Sequence, residues 1–305
     1  MKIAGVVVTY NRKEELKKLI ESVLNSTKPI DLIVVDNASN YDIESELKPY
    51  PTVQLLKMNA NLGPAGGAEA GQKFAYEKGY DFVWMLDDDA LVAPNALEEL
   101  LKYYPLLKEK YGKVFLASIY VGALDFTKPF YNILRYNPKT GLTIKIDEKE
   151  FEKPYFEFDI APMNGLFLPR ELLSTCGFFD GRLWGWYDDT EFVLRARKAG
   201  FKGIAVPSSR IYHPIEYRKQ VKILGRTFTL LSGRPFRMYL GTRNNIIVQK
   251  KFLKPLNFYF IFLPVFTIKR FISIVFFYEN KSVFLKNFFR GIIDGLRGNL
   301  KGKFA

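Results

Sequence analysis

Four short apolar runs recur through the first ninety residues: IAGVVVT (3–9), DLIVVD (31–36), VQLLKM (53–58) and FVWML (82–86). Unbroken apolar runs of this length suit strands buried on both faces. Between them the period changes. Leu16, Leu19, Ile20, Val23 and Leu24 fall at helical spacing, and AEAGQKFAYEKG (68–79) continues that pattern until Gly79 stops it. This βαβα alternation predicts a largely parallel sheet. In such a sheet the C-terminal strand ends share one edge, where open α/β sheets bind ligands. The polar segments TYNR (9–12), DNAS (36–39), NANLGPAGG (59–67) and DDD (87–89) are therefore expected on that edge.

Further along, the pattern predicts a helix over 94–110 and a strand at KVFLASIYV (113–121). Residues 124–160, rich in Tyr, Phe and Lys with turn signals at Asn137-Pro138 and Thr140-Gly141, read as strands or a flap beside the sheet. MNGLFLPRELLSTCGFFD (163–180) reads as strand then helix. DDTEFVLRARKAGF (188–201) reads as an acid-start, basic-end helix that matches the macrodipole and is closed by Gly200.

The last third differs in kind. LNFYFIFLPVFTIKRFISIVFF (256–277) holds 15 Leu, Ile, Val or Phe residues. These favour membrane insertion by about 5–9 kcal/mol, and the central Lys269 and Arg270 oppose it by about 5–7 kcal/mol. The near-zero balance, with Pro264, points to helices lying at a membrane surface, and KNFFRGIIDGLRGNLKGK (286–303) adds basic anchors beside apolar ones. Packing of the same runs on the globular core or in a dimer contact is the plainer reading.

Charge sharpens this picture. The chain carries +13 overall, yet from Arg197 onward 22 Lys and Arg face three acids, an excess of +19, which leaves −6 on residues 1–196. The basic surface belongs to the C-terminal third, with a polyanion or an anionic membrane as its partner. With 305 residues, 48% of them hydrophobic, the chain can bury a sizeable core. The single cysteine, Cys176, excludes an internal disulfide and a multi-cysteine zinc site and fits a reducing compartment. The N-terminal MKIAGVVVTYNRKEEL resembles a first strand more than a signal peptide.

Three adjacent carboxylates, Asp87, Asp88 and Asp89, repel one another unless water, a helix terminus or a cation takes up their charge. Capping of the next helix would account for them structurally. As chemistry, hard oxygen ligands at i and i+2 suit Mg²⁺ or Mn²⁺ bridging to phosphates, with Asp88 turned toward a basic group. The first turn lacks G-x-G-x-x-G, and the chain lacks a P-loop motif, so a diphosphate would need a metal to hold it. In LWGWYDDTEF (183–192), Asp188 and Glu191 read as a capping box. Asp189 is not needed for that cap. It follows Trp184, Trp186 and Tyr187, an aromatic patch of the kind that stacks on sugars, and could act as general base to a hydroxyl. His213 is the only histidine; structural service is the ordinary role of such a residue, and completing a metal's ligand set is the functional one. Arg237 and Arg243 in RMYLGTRNN could meet an anion or be ordinary solvated helix charges.

Taken in order over roughly residues 3–250, VVVTYNR, VVDNAS, NLGPAGG, WMLDDDA, WYDDTEFVLRARKAGF, IYH and YLGTRNN resemble the GT-A family 2 glycosyltransferases, inverting enzymes that pass a sugar from a nucleotide diphosphate donor to a hydroxyl. Within that family the chain looks most like the galactofuranosyl- and rhamnosyltransferases of bacterial cell-surface polysaccharide assembly, and DDD with YDD-x-E leans toward the galactofuranosyl branch. The resemblance implies a GT-A catalytic domain over 1–215, with a nucleotide-binding half (1–120) and an acceptor and base half (121–215), followed by a helical basic and apolar extension (216–305). It implies that Thr9, Tyr10, Arg12, Asp36, Asn61 and Gly63 border the UDP- or dTDP-sugar donor together with Asp87 and Asp88. Asp87, Asp89 and His213 would hold Mn²⁺ or Mg²⁺, Asp189 would be the base, and Trp184, Trp186, Tyr187 and Asp188 would border the acceptor. Tyr187 departs from the tryptophan frequent in galactofuranosyltransferases. The implied partners are a lipid-linked glycan at the cytoplasmic face of the membrane and, as an option, a second copy of the chain; nucleic acid is not expected. A sugar-nucleotide nucleotidyltransferase would want a glycine-rich basic loop after the first strand, which TYNRKEEL lacks. A nucleic-acid-binding module using the basic aromatic tail is the non-enzymatic alternative.

Overall fold

The computed structural model describes residues 1–122, 124, 126, 129–130, 133–214, 220–223, 226–229 and 234–301. The expected alternation forms in order: β1 (Ile3–Thr9), α1 (Lys13–Leu24), β2 (Asp31–Asp36), α2 (Ile43–Leu47), β3 (Val53–Lys57), α3 (Gly63–Glu77) and β4 (Phe82–Asp87). Then come β5 (Leu91–Val92), α4 (Ala96–Tyr111), β6 (Val114–Val121), β7 (Pro129–Phe130), β8 (Leu134–Tyr136), β9 (Thr143–Lys145), β10 (Phe156–Phe158) and β11 (Leu166–Pro169). α5 (Arg170–Cys176), α6 (Asp188–Lys198) and β12 (Lys202–Tyr212) follow. The C-terminal part holds β13 (Gln220–Ile223), β14 (Arg226–Thr229), α7 (Pro235–Phe252), α8 (Pro255–Asn257), α9 (Leu263–Phe277) and α10 (Lys281–Arg297). A π turn at Phe258–Phe262 joins α8 to α9 in one continuous helix.

The main sheet runs β10-β12-β6-β11-β4-β1-β2-β3, with β5 beside β12 and β7 beside β6. β4, β1, β2 and β3 are mutually parallel, and β12 is parallel to β6; β11 is antiparallel to both β4 and β6. The chain is thus α/β with a mostly parallel sheet, as the alternation predicts. Segment 124–160, read as strands or a flap, contributes the β8-β9 ribbon and the edge strand β10; residues 125, 127–128 and 131–132 of that segment lie outside the described set.

Apolar side chains fill both faces of the sheet. Val6, Ile33, Val35 and Met85 pack on one side, and Val7, Leu32, Val34, Trp84 and Leu86 on the other, as the two-sided burial of parallel strands requires. α3 differs from expectation because Gly63–Gly67 already belong to the helix, with Pro64 at its start where a missing N–H costs nothing. Gly67 brings α3 against β1: a Cβ there would lie 2.3 Å from Val8 Cγ1.

Two compact units result, Met1–Arg135 with Ile144–Pro214, and Tyr136–Thr143 with Ile215–Gly302. In the second, Met238 of α7, Ile274 of α9 and Phe284 and Phe288 of α10 share a core with Tyr278. Arg243, a candidate anion ligand in the sequence, is fully buried within α7, where its Nε donates to Asn244 Oδ1 and its guanidinium lies 5.6 Å from the Tyr239 ring. It is a packed residue, because α7 is covered on several sides rather than amphipathic.

Candidate functional site

Strand register brings the polar tips together. Thr9 stands opposite Asp36 and Val8 opposite Asp87, so the ends of β1, β2 and β4 form one row. Thr9 and Asp36 are buried, while Tyr10 lies exposed at the rim. Asn37 ties the loops: its Nδ2 donates to Asn61 Oδ1 (3.1 Å) and Gly63 O (3.0 Å), and its Oδ1 accepts from Leu62 N (3.0 Å). Ser39 N donates to Asp36 Oδ1 (2.8 Å), and Asn40 N donates to Asn11 Oδ1 (2.8 Å). The four loops do meet on one edge.

The acidic triplet divides by direction. Asp88 turns inward and meets Arg12 Nη1 at 3.3 Å, and the same guanidinium pairs with Asp89. Burial nevertheless pushes Asp88 up to about 7, against the pull of Arg12. Asp87 and Asp89 turn instead toward His213, whose Nε2 lies 3.4 Å from Asp87 Oδ2 and 3.4 Å from Asp89 Oδ1. β12 delivers this histidine to the strand edge, where its backbone N–H donates to Val121 O. Its Nδ1 lies 2.9 Å from Pro214 O; a carbonyl only accepts, so Nδ1 carries a proton and Nε2 faces the carboxylates. Burial lowers the affinity of this imidazole for a second proton, but the hydrogen bond and charge of Asp87, with Asp89, outweigh it and leave the pKa raised. Two carboxylates and an imidazole with ligand atoms within 4.8 Å of one another suit a divalent cation such as Mg²⁺ or Mn²⁺.

The second acidic group is built differently from the capping box expected of Asp188 and Glu191. The residue before α6 is Tyr187, in left-handed conformation at φ 65°, so Asp188 is already the first helical residue and does not occupy the N-cap position. Glu191 pairs with Arg195 (2.8 Å), which also donates to Phe178 O (2.8 Å). Trp184 and Trp186 are left-handed too, at φ 67° and 61°. Such conformations persist in bulky residues only when the surroundings impose them. Trp184 O accepts from Ala65 N (3.1 Å), and Gly63, at φ +73°, packs so closely that a Cβ would lie 2.1 Å from Trp184 O. The NLGPAGG and LWGWYDD segments are therefore one wall of the site.

Asp189 Oδ1 accepts from Thr190 N (2.6 Å) at the N-terminus of α6, which favours its charge. Burial works the other way and raises both Asp188 and Asp189, and the charge of Asp87 adds to the rise in each. The metal-type cluster and the second acid pair are thus within electrostatic reach of each other.

Three residues of this site were not anticipated. Asn37 is buried and organises the loops; its place directly after Asp36 was the available signal. Asn164 is buried and accepts from Asp87 N (3.1 Å), and Tyr120 stacks on His213 with ring centroids 5.2 Å apart. Nothing local marks these last two, because β11 and β6 reach Asp87 only through tertiary pairing.

A family model described as Glycosyl transferase family 2 matches residues 6–164. The dTDP-rhamnosyl transferase RfbF of Shigella flexneri is 28% identical over 299 residues, covering 97% of this chain and 96% of its own length. The galactofuranosyltransferase GlfT1 of Mycobacterium tuberculosis is 40% identical over 254 residues, 79% of this chain and 80% of its own. Among solved structures, S. aureus TarS 1-349 in complex with UDP-GlcNAc superposes with a TM-score of 0.60 at 13% identity, covering 96% of this chain and 82% of that one. GalNAc-T7 with UDP, GalNAc and Mn²⁺ gives 0.58 at 16% identity, covering 82% and 48%.

Proposed function

The chain belongs to glycosyl transferase family 2 and has the GT-A fold, and from that premise we propose that it is an inverting transferase. It moves a sugar, galactofuranose in the first reading, from a nucleoside diphosphate donor to a hydroxyl of a lipid-linked or polysaccharide acceptor. The observation that carries this reading is the cluster of Asp87, Asp89 and His213 set apart from, yet in electrostatic reach of, the half-buried Asp189. Inversion by a single displacement wants these two roles on opposite sides of the sugar.

In this reading Asp87, Asp89 and His213 hold a divalent cation that supplies charge neutralisation to the departing diphosphate. Pro214 O fixes the imidazole so that Nε2 faces the carboxylates, and Asn164 holds the Asp87 backbone. Arg12 offsets Asp88 and Asp89 and limits repulsion within the triplet. Thr9, Asp36, Asn61 and Gly63 shape the nucleotide side, with Asp36 oriented by Ser39 to accept from a pyrimidine. Trp184, Trp186 and Tyr187, beside Asp188, form the acceptor wall. Asp189 takes the proton of the attacking hydroxyl at a carboxylate oxygen, and burial gives it the raised basicity this requires. One relative is named N-acetylglucosaminyl-diphospho-decaprenol L-rhamnosyltransferase, which supports a lipid-linked acceptor; the cytoplasmic face of the membrane is the site of action proposed with it.

A rhamnosyl donor is the second reading, favoured by the likeness to RfbF along nearly the whole chain. Calorimetry with Mn²⁺ and UDP or dTDP, then a turnover screen of UDP-galactofuranose against dTDP-rhamnose, tests both. The expected result is mutual enhancement of metal and nucleotide binding, transfer from one donor, and loss of transfer in Asp89→Ala and Asp189→Ala with the fold retained. Metal and nucleotide that neither bind nor assist each other would end the proposal, and turnover surviving in either variant would remove that residue's role.

A further inference from the structure

The continuous helix Pro255–Phe277 carries two apolar stripes of opposite fate. Phe258, Phe262 and Ile274 are buried, and Phe266 lies between them packed on Phe288 of α10 (6.3 Å between ring centroids). Leu256, Phe260, Ile268, Ile272 and Phe276, spaced in multiples of four, are exposed, Leu256, Phe260 and Phe276 to 70% or more. The stripes are offset by two residues, about 200° around a helix, and so lie on opposite faces. A soluble amphipathic helix would turn charge outward where this one turns phenylalanine and isoleucine. Phe289 and Ile293 of α10 are exposed as well.

What covers this face follows from its surroundings. Residues 254–297 hold seven Lys and Arg against two acids, Glu279 and Asp294; Arg290 pairs with Asp294, and Lys254, Lys269, Lys281 and Lys286 are all exposed. Two copies meeting through this face would bring like charges together, whereas an anionic lipid surface pairs with them. Ile274 and Phe266 of the inner stripe pack with Met238 of α7 and Phe284 and Phe288 of α10, so lipid cannot surround the helix there, and Lys269 sits among the outer apolar positions. We propose that Pro255–Phe277 lies in the plane of an anionic membrane, its outer stripe in the acyl boundary and its basic residues at the headgroups, without crossing the bilayer.

The experiment needs no sugar donor, so its outcome is separate from that of the transferase reading. Full-length chain is floated with vesicles of phosphatidylcholine, alone or mixed with phosphatidylglycerol. Expected is flotation with the anionic vesicles, weakened about tenfold or more in Phe260→Ser with Phe276→Ser, whose side chains are mostly exposed. Lys281→Glu with Lys286→Glu should weaken binding to the anionic vesicles and leave the neutral ones unchanged. In a Cys176→Ser background, Asn257→Cys and Glu279→Cys should both react with an impermeant maleimide from one side of sealed membranes. Unchanged flotation in the phenylalanine variant, protection of one cysteine, or a lipid-indifferent dimer that the phenylalanine variant dissociates would each overturn the proposal.

Discussion

Asp189 is asked to be ionised before it can accept a proton, while its environment resists ionisation. Burial raises it, and Asp188 beside it is raised by burial and by the charge of Asp189 itself. The two protons leave in coupled steps, so the pair rather than either residue sets the acid limb of the rate profile. Transfer should therefore fall as pH drops through a midpoint above the ordinary carboxylate range, and Asp188→Asn should move that midpoint down by removing a neighbouring charge. A kcat profile between pH 5 and 8.5 checks this; a midpoint near 4, unmoved by the substitution, would take the base role from Asp189. Asp188→Asn keeps the side-chain volume, so a shift of midpoint with kcat retained at high pH separates electrostatics from collapse of the site.

At the scale of elements, the wall between α3 and the segment before α6 depends on Gly63. Its positive φ and the 2.1 Å that a Cβ would leave to Trp184 O make alanine costly on two counts. Gly63→Ala should destabilise the first unit by about 3 kcal/mol and lower the melting temperature, with donor affinity falling further because Asn37 loses its acceptors on the same loop. Gly79→Ala, also at positive φ but with nothing near, should cost less, and a thermal melt of both variants ranks them. Much of this architecture was legible in sequence. Runs at 3–9, 31–36 and 82–86 are apolar enough to be strands without help, and in a parallel sheet their polar ends must share an edge. The start of α3 was less legible because GPAGG reads as a loop; Pro64 fits the first turn, and the glycines serve packing on β1 and Trp184. The box at Asp188 and Glu191 failed for a related reason. Local spacing satisfied the motif, but three left-handed residues, fixed by tertiary contacts, start the helix one position early. Asn164 and Tyr120 were illegible because only the pairing of β11 with β4 and β6 brings them to Asp87.

Over the whole molecule the charge is segregated, with −6 on residues 1–196 and +19 beyond, and within the acidic part five aspartates gather at one site. Without a cation, the folded state pays for that gathering as pH rises. Asp88, raised to about 7, and the raised Asp188 and Asp189 each bind protons more tightly folded than unfolded. Their contribution to stability is complete below the unfolded carboxylate range and is lost as pH rises through the folded values; raised His213 acts in the same direction from its own, higher unfolded value. Asp42, Glu46 and Asp294 shift downward, so their influence falls below this window. The metal-free protein should thus melt at a lower temperature at pH 8 than at pH 5.5. Mn²⁺ binds deprotonated ligands and should reverse the order, adding about 5 °C or more at pH 8 when at a hundred times its dissociation constant, and far less at pH 5.5. Asp89→Ala should lose the Mn²⁺ increment while keeping part of the pH slope, because Asp88, Asp188 and Asp189 remain. Scanning fluorimetry with Mn²⁺ and with EDTA at the two pH values distinguishes these cases: an increment equal at both would mean that the cation binds somewhere other than the Asp87, Asp89 and His213 cluster.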